Sequence, residues 1–171
     1  MHDPVVISPD AGGVYRAKMF QDYMRQAGGN ADLAMIIKQR SGAGEIGSMN
    51  LVGEVKGRDC IIIDDMIDTA GTLCEAANQL SERGARRVFC FASHGLFNKD
   101  AFDKIEKSKI NEIIVTDTIP LAGSDTGSSI SHLSVPPIGT TNKVKQCSIS
   151  VLLAEAIRRS HQKESLNTLF F

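Results

Sequence analysis

Hydrophobic positions along this chain alternate between short continuous runs and helical spacing. Val5, Val6 and Ile7 form a brief apolar run that ends in Ser8-Pro9-Asp10-Ala11-Gly12-Gly13, the pattern of a strand entering a loop. Ala17, Phe20, Tyr23, Met24 and Ala27 then recur every three or four residues until Gly28-Gly29, which predicts a helix closed by glycine. Residues 33–37 read as a buried strand, and 52–55 and 60–63 as two more, separated by a turn around Lys56-Gly57-Arg58-Asp59. After a polar break at 64–69, Leu73, Ala76, Ala77 and Leu80 mark one stripe of a helix that Gly84 ends. Residues 88–92 predict a strand, Phe102 and Ile105 a short helix, and 113–115 another strand. Ile149, Leu152, Leu153, Ala156 and Ile157 give a last amphipathic helix, with Ser148 as its expected cap and Arg158-Arg159 near the negative end of its dipole.

Two segments break the rhythm. Residues 39–50 are mostly Ser, Gly, Ala and isolated polar groups, too poor in apolar side chains to offset their own ordering entropy, which predicts a mobile loop. Residues 122–142 are rich in Gly, Ser, Thr and Pro and read as an irregular insertion in which only 131–135 hint at a strand. Otherwise strands and helices take turns without an internal repeat. The implied fold is α/β, a mostly parallel central sheet flanked by helices on both faces, in a single domain over 1–171. Ligands of such sheets bind beyond the carboxyl ends of the strands.

Composition narrows the choice. Nineteen Lys and Arg against 20 Asp and Glu leave a net charge of −1, so no overall field draws nucleic acid or an anionic membrane, and any anion site must be local. Aromatic residues make up 5% and Trp is missing, which weakens a reading based on stacked bases. No apolar run approaches the roughly 20 residues of a membrane span. The first ten residues have neither the basic nor the apolar region of a secretion signal. Cys60, Cys74, Cys90 and Cys147 form no Cys-x-x-Cys pair, and three lie in apolar runs or helical patterns, as reduced core thiols of a cytoplasmic protein do.

The chemistry gathers where strands end. The apolar run 60–63 delivers Asp64 and Asp65 to its rim, where paired carboxylates can accept from sugar hydroxyls or hold a hydrated Mg²⁺. Asp68-Thr69-Ala70-Gly71-Thr72 then opens a helix, offering backbone N–H groups and two hydroxyls to an anion at a positive helix end. Taken singly, these features also describe a solvated strand end and a helix cap formed by Asp68 and Thr69. In one run, an apolar strand, two acids and Thr-Ala-Gly-Thr resemble the phosphoribosyl diphosphate (PRPP) binding motif of the type I phosphoribosyltransferase fold. Ser8-Pro9-Asp10-Ala11-Gly12-Gly13-Val14-Tyr15-Arg16-Ala17, Lys38-Gln39-Arg40, Leu51-Val52-Gly53-Glu54-Val55, Ser93-His94-Gly95 and residues 149–160 with Glu164-Ser165 narrow the resemblance to the ribose-phosphate diphosphokinases, or PRPP synthetases.

The resemblance implies transfer of the β,γ-diphosphoryl group of ATP to the anomeric hydroxyl of ribose 5-phosphate, with Mg²⁺, giving PRPP and AMP. It places ribose 5-phosphate on Asp64, Asp65, Asp68, Thr69, Ala70, Gly71 and Thr72, and diphosphate on Asp10, Ala11, Gly12, Gly13 and Arg16. Metal contacts fall to Asp10, Asp64 and Asp65, and catalytic cations to Lys38 and Arg40 at the root of the loop 39–50. His94 matches a family histidine, with a structural role and a ligand contact equally open. The family's chain carries a further N-terminal half of the same fold, so this one corresponds to the C-terminal half and is expected to be inactive alone. The resemblance implies assembly by dimers built into hexamers, and for this chain a dimer is expected. Two alternatives stand beside this reading: a free-standing phosphoribosyltransferase, and a non-catalytic PRPP-synthetase-associated or PRPP-sensing protein. Intact Lys38, Arg40, Asp64 and Asp65 weigh against the latter.

Overall fold

In a computed structural model that describes residues 1–38, 49–121 and 142–170, the alternating pattern becomes one seven-stranded sheet. Its strands are β1 (Val5–Ser8), β2 (Asp32–Lys38), β3 (Met49–Val52), β4 (Asp59–Ile67), β5 (Arg87–Gly95), β6 (Glu112–Thr116) and β7 (Val144–Cys147). The helices are α1 (Val14–Gln26), α2 (Gly71–Glu82), α3 (Ala101–Lys107) and α4 (Ser150–Gln162). The strand order is β3-β2-β1-β4-β5-β6-β7, and every neighbouring pair is parallel except β2 with β3. The fold is thus the mostly parallel α/β sheet that the sequence predicts.

Successive residues of a strand face opposite sides, so a parallel strand covered on both faces reads as unbroken apolar sequence. Val5, Ile7, Cys60 and Ile62 meet Leu73, Ala76, Ala77 and Leu80 of α2 and Ala101 and Ile105 of α3 on one side. Val6, Ile61 and Ile63 meet Ala17, Phe20 and Met24 of α1 on the other. Ile62 and Val6 are fully excluded from solvent, and each such side chain contributes about 2 kcal/mol. At the rim opposite the loop ends, Asp59 is buried yet charged. Its carboxylate accepts from the Arg86 Nε at 2.9 Å, an Arg87 guanidinium nitrogen at 2.7 Å and the His2 amide at 2.7 Å. The Arg87 hydrogen bond is the leading cause that holds its pKa well below the usual carboxylate range.

Four elements differ from the sequence reading. The strand expected at 52–55 lies instead at Met49–Val52, antiparallel to β2, with Lys38 opposite Met49. Gly53 ends it at φ +123°, with Ala34 so close that a Cβ there would sit 2.5 Å from the Ala34 methyl. Met49 and Asn50, read as the end of a loop, are therefore strand, and the rest of that expected loop lies outside the described residues. β4 runs on to Ile67, so Asp64 and Asp65 belong to the strand itself. β7 follows the segment read as an insertion and was hidden by its polar sequence, Val-Lys-Gln-Cys, typical of an exposed edge. The strand hinted at 131–135 lies outside the described residues.

The fourth difference concerns α4. No residue of it is buried, and Val151 and Ile157 are 81% and 69% exposed. Its apolar stripe thus covers no part of this core. Ser148 does cap the first turn, its hydroxyl accepting from the Ser150 amide at 3.2 Å, and the Asp117 carboxylate adds a second acceptor for the Ile149 amide at 2.9 Å.

Candidate functional site

The adjacent ends of β1 and β4 form the site, because β1 is the strand at which the sheet's connections change direction and neighbouring loops diverge there. After β1, the buried Ser8 hydroxyl donates to the Asp10 carbonyl at 2.7 Å, and the Gly13 amide donates to Asp10 Oδ1 at 2.8 Å. A Cβ on Gly13 would stand 2.9 Å from Ser8 Oγ, so this turn excludes a side chain. Ala11 and Gly12 are exposed at its tip.

β4 supplies the acids. Asp64 is 30% exposed and Asp65 52%, and Arg16, in the first turn of α1, spans both at 3.1 and 2.8 Å. Asp64 Oδ1 also accepts the Asp65 amide at 2.9 Å. Burial raises the Asp64 pKa, with the neighbouring Asp65 charge acting the same way and Arg16 opposing both. The guanidinium is thus the counter-ion of a crowded carboxylate pair.

Beyond Ile67 the chain turns into α2 through Asp68 and Thr69. Ala70 is buried and left-handed at φ +57°, and it precedes the helix without any side-chain cap. The capping reading of Asp68 and Thr69 therefore fails, and the first amides of α2 keep no side-chain acceptor. Gly71 and Thr72 are exposed in that first turn. Together with Asp10, Asp64 and Asp65, residues 66–73 line a cavity of about 290 Å³. A larger groove of about 640 Å³ lies behind, between α2 and α3, and shares Gly71 and Thr72.

Most of the expected site residues thus meet at one rim. Lys38 closes β2, on the other side of β1, and Arg40 lies outside the described residues. His94 stands opposite Met66 in the β4–β5 register, its Nδ1 2.8 Å from the Thr118 hydroxyl. Two residues that no motif singled out also reach this rim. Asn98 donates its side-chain amide to Asp68 Oδ1 at 2.7 Å, and Lys104 Nζ lies 3.4 Å from the Thr69 carbonyl. Among the described residues no three His, Cys, Asp or Glu side chains form a ready metal-ligand set.

Comparison with known proteins follows the same lines. The family model described as phosphoribosyl synthetase-associated domain matches residues 30–171. A ribose-phosphate pyrophosphokinase of Vibrio cholerae is 45% identical over 170 residues, 99% of this chain and 49% of that one. One of Pasteurella multocida is 43% identical over the same shares. The crystal structure of phosphoribosylpyrophosphate synthetase from Mycobacterium smegmatis superposes with a TM-score of 0.74 at 34% identity, covering 95% of this chain and 46% of the other. The chain spans about half the length of the curated relatives it matches.

Proposed function

The chain belongs to the phosphoribosyl synthetase-associated domain family, and from that premise we propose that it is the ribose 5-phosphate-binding part of a ribose-phosphate diphosphokinase. The observation that carries this reading is the adjacency, within one cavity, of two carboxylates and an uncapped helix N-terminus. A sugar phosphate needs both at once. Asp64 and Asp65 accept from the ribose hydroxyls, while the amides of Gly71 and Thr72 and the hydroxyls of Thr69 and Thr72 receive the 5-phosphate. On this reading the turn from Asp10 to Gly13 receives the diphosphate at the anomeric carbon, and Arg16 exchanges its acids for that anion.

Mg²⁺ suits this donor set in chemistry, since Asp10, Asp64 and Asp65 offer hard oxygens at one cavity. Arg16 already neutralises two of the acids. The ion would therefore be held by one or two carboxylates with oxygens of the substrate and water, where it would offset charge on the transferring diphosphate. Lys38 and Arg40 would add positive charge to the same transition state. ATP as diphosphate donor, PRPP as product and a cytoplasmic setting complete the proposal; Cys60, Cys74 and Cys90 are buried free thiols, as a reducing compartment allows.

Calorimetry with Mg²⁺ present tests it. The chain should bind ribose 5-phosphate saturably and free ribose far more weakly, with no PRPP formed from ATP by this chain alone. Asp64→Ala and Thr72→Val should each weaken the sugar phosphate by about tenfold. Equal affinity for ribose and ribose 5-phosphate, or unchanged binding in both variants, would refute the assignment.

A further inference from the structure

The loop that joins β4 to α2 is held from behind by the segment that follows β5. The Ile67 carbonyl accepts the amides of Leu96 and Phe97 at 2.9 and 3.1 Å, and the Asp68 carbonyl accepts the Asn98 amide at 3.0 Å. Asn98 therefore binds Asp68 twice, by its backbone and by its side-chain Nδ2 at 2.7 Å. In α3, Lys104 pairs with Asp100 at 2.8 Å and points Nζ toward the Thr69 carbonyl.

The backbone here is under tension on both sides of the contact. Ala70, Phe97 and Lys99 all take left-handed φ values, +57°, +50° and +57°, although none is glycine. Such conformations cost about 1 kcal/mol or more each and persist only where surrounding contacts over-determine them. Phe97 is anchored by complete burial against Phe102, ring centroids 4.9 Å apart. Gly95 makes room for it, since a Cβ there would collide with the Phe97 ring at 2.3 Å. A fixed wedge thus bears on a strained loop that no helix cap stabilises.

We propose that Asn98 and Lys104 are positioning residues that hold the 68–72 loop in the conformation that presents its amides to a phosphate. They act through Asp68 and Thr69 and touch no ligand themselves. Asn98 fixes the loop's entry, while Lys104 neutralises the carbonyl side and leaves the amide side facing the anion. The phosphate is taken from the functional reading above, on which that part of the inference rests.

Amide hydrogen exchange of the ligand-free chain, paired with ribose 5-phosphate calorimetry, tests it. In Asn98→Ala, exchange at Gly71 and Thr72 should accelerate, and affinity for the sugar phosphate should fall by about tenfold, with free ribose unaffected. Lys104→Met should move both readouts the same way by about threefold, and Lys104→Arg should restore them. Unchanged loop exchange in both Asn98→Ala and Lys104→Met overturns the inference. Should Asn98→Ala lose its circular dichroism, Lys104→Met, at a side chain 38% exposed, decides the matter alone. A parent chain that binds no ribose 5-phosphate defeats the functional reading, while the exchange comparison still decides whether these two residues order the loop.

Discussion

Single residues carry two kinds of information here. Asp64 and Asp65 were legible because an apolar strand followed by paired acids is a local pattern, and so was Gly13, whose lack of a Cβ accommodates Ser8. Asn98 and Lys104 were not, since their partners lie in a different segment and nothing adjacent in sequence announces them. Asp59 looked like a turn residue, yet it is the buried acid between two arginines. Folding lowers its pKa, so the stability it supplies is complete above the unfolded value of about 3.9 and is lost as pH falls below that toward the folded-state value. Urea unfolding should therefore show a plateau from pH 7 to about pH 5 and a decline in more acid solution. Asp59→Asn should cost about 2 kcal/mol at pH 7 and flatten that decline. A variant curve running parallel to the parent's from pH 7 to pH 3 would assign the acid sensitivity to other groups.

Elements were readable to the extent that their sequence and their surroundings agreed. β1 and the first half of β4 are buried on both faces, β5 and β6 alternate buried with half-buried residues, and all four stand out as apolar runs, whereas the edge strands β3 and β7 carry no such mark. Gly53 further shifted β3 by a constraint that comes from Ala34 on the neighbouring strand. α4 shows the opposite error. Its periodicity is as clear as that of α2, but periodicity reports an apolar face without saying which surface covers it. Its stripe should thus be nearly silent in the stability of this chain. Leu153→Ser and Ile157→Gln should each change urea stability by less than about 0.5 kcal/mol, against about 3 kcal/mol for Leu80→Ala on the buried face of α2. A loss above 1 kcal/mol in either α4 variant would mean that the stripe is packed in solution.

At the scale of the molecule, the alternation of strands and helices implied the layered sheet, while the order β3-β2-β1-β4-β5-β6-β7 depended on pairings that no local pattern encodes. That order places β1 at the centre of the site, and Val5 pairs with Cys60, far along the chain. Contacts so distant in sequence carry a large loop-closure cost and tend to form late. The cavity shared by Asp10 and Asp64 therefore depends on closing the loop between residues 5 and 60. A sugar phosphate seated there should lower the unfolding rate and leave the refolding rate unchanged, which stopped-flow urea jumps would read directly; faster refolding with ligand would place the β1–β4 pairing early. The molecule would then owe its kinetic lifetime, rather than its speed of folding, to whatever occupies the junction of those two strands.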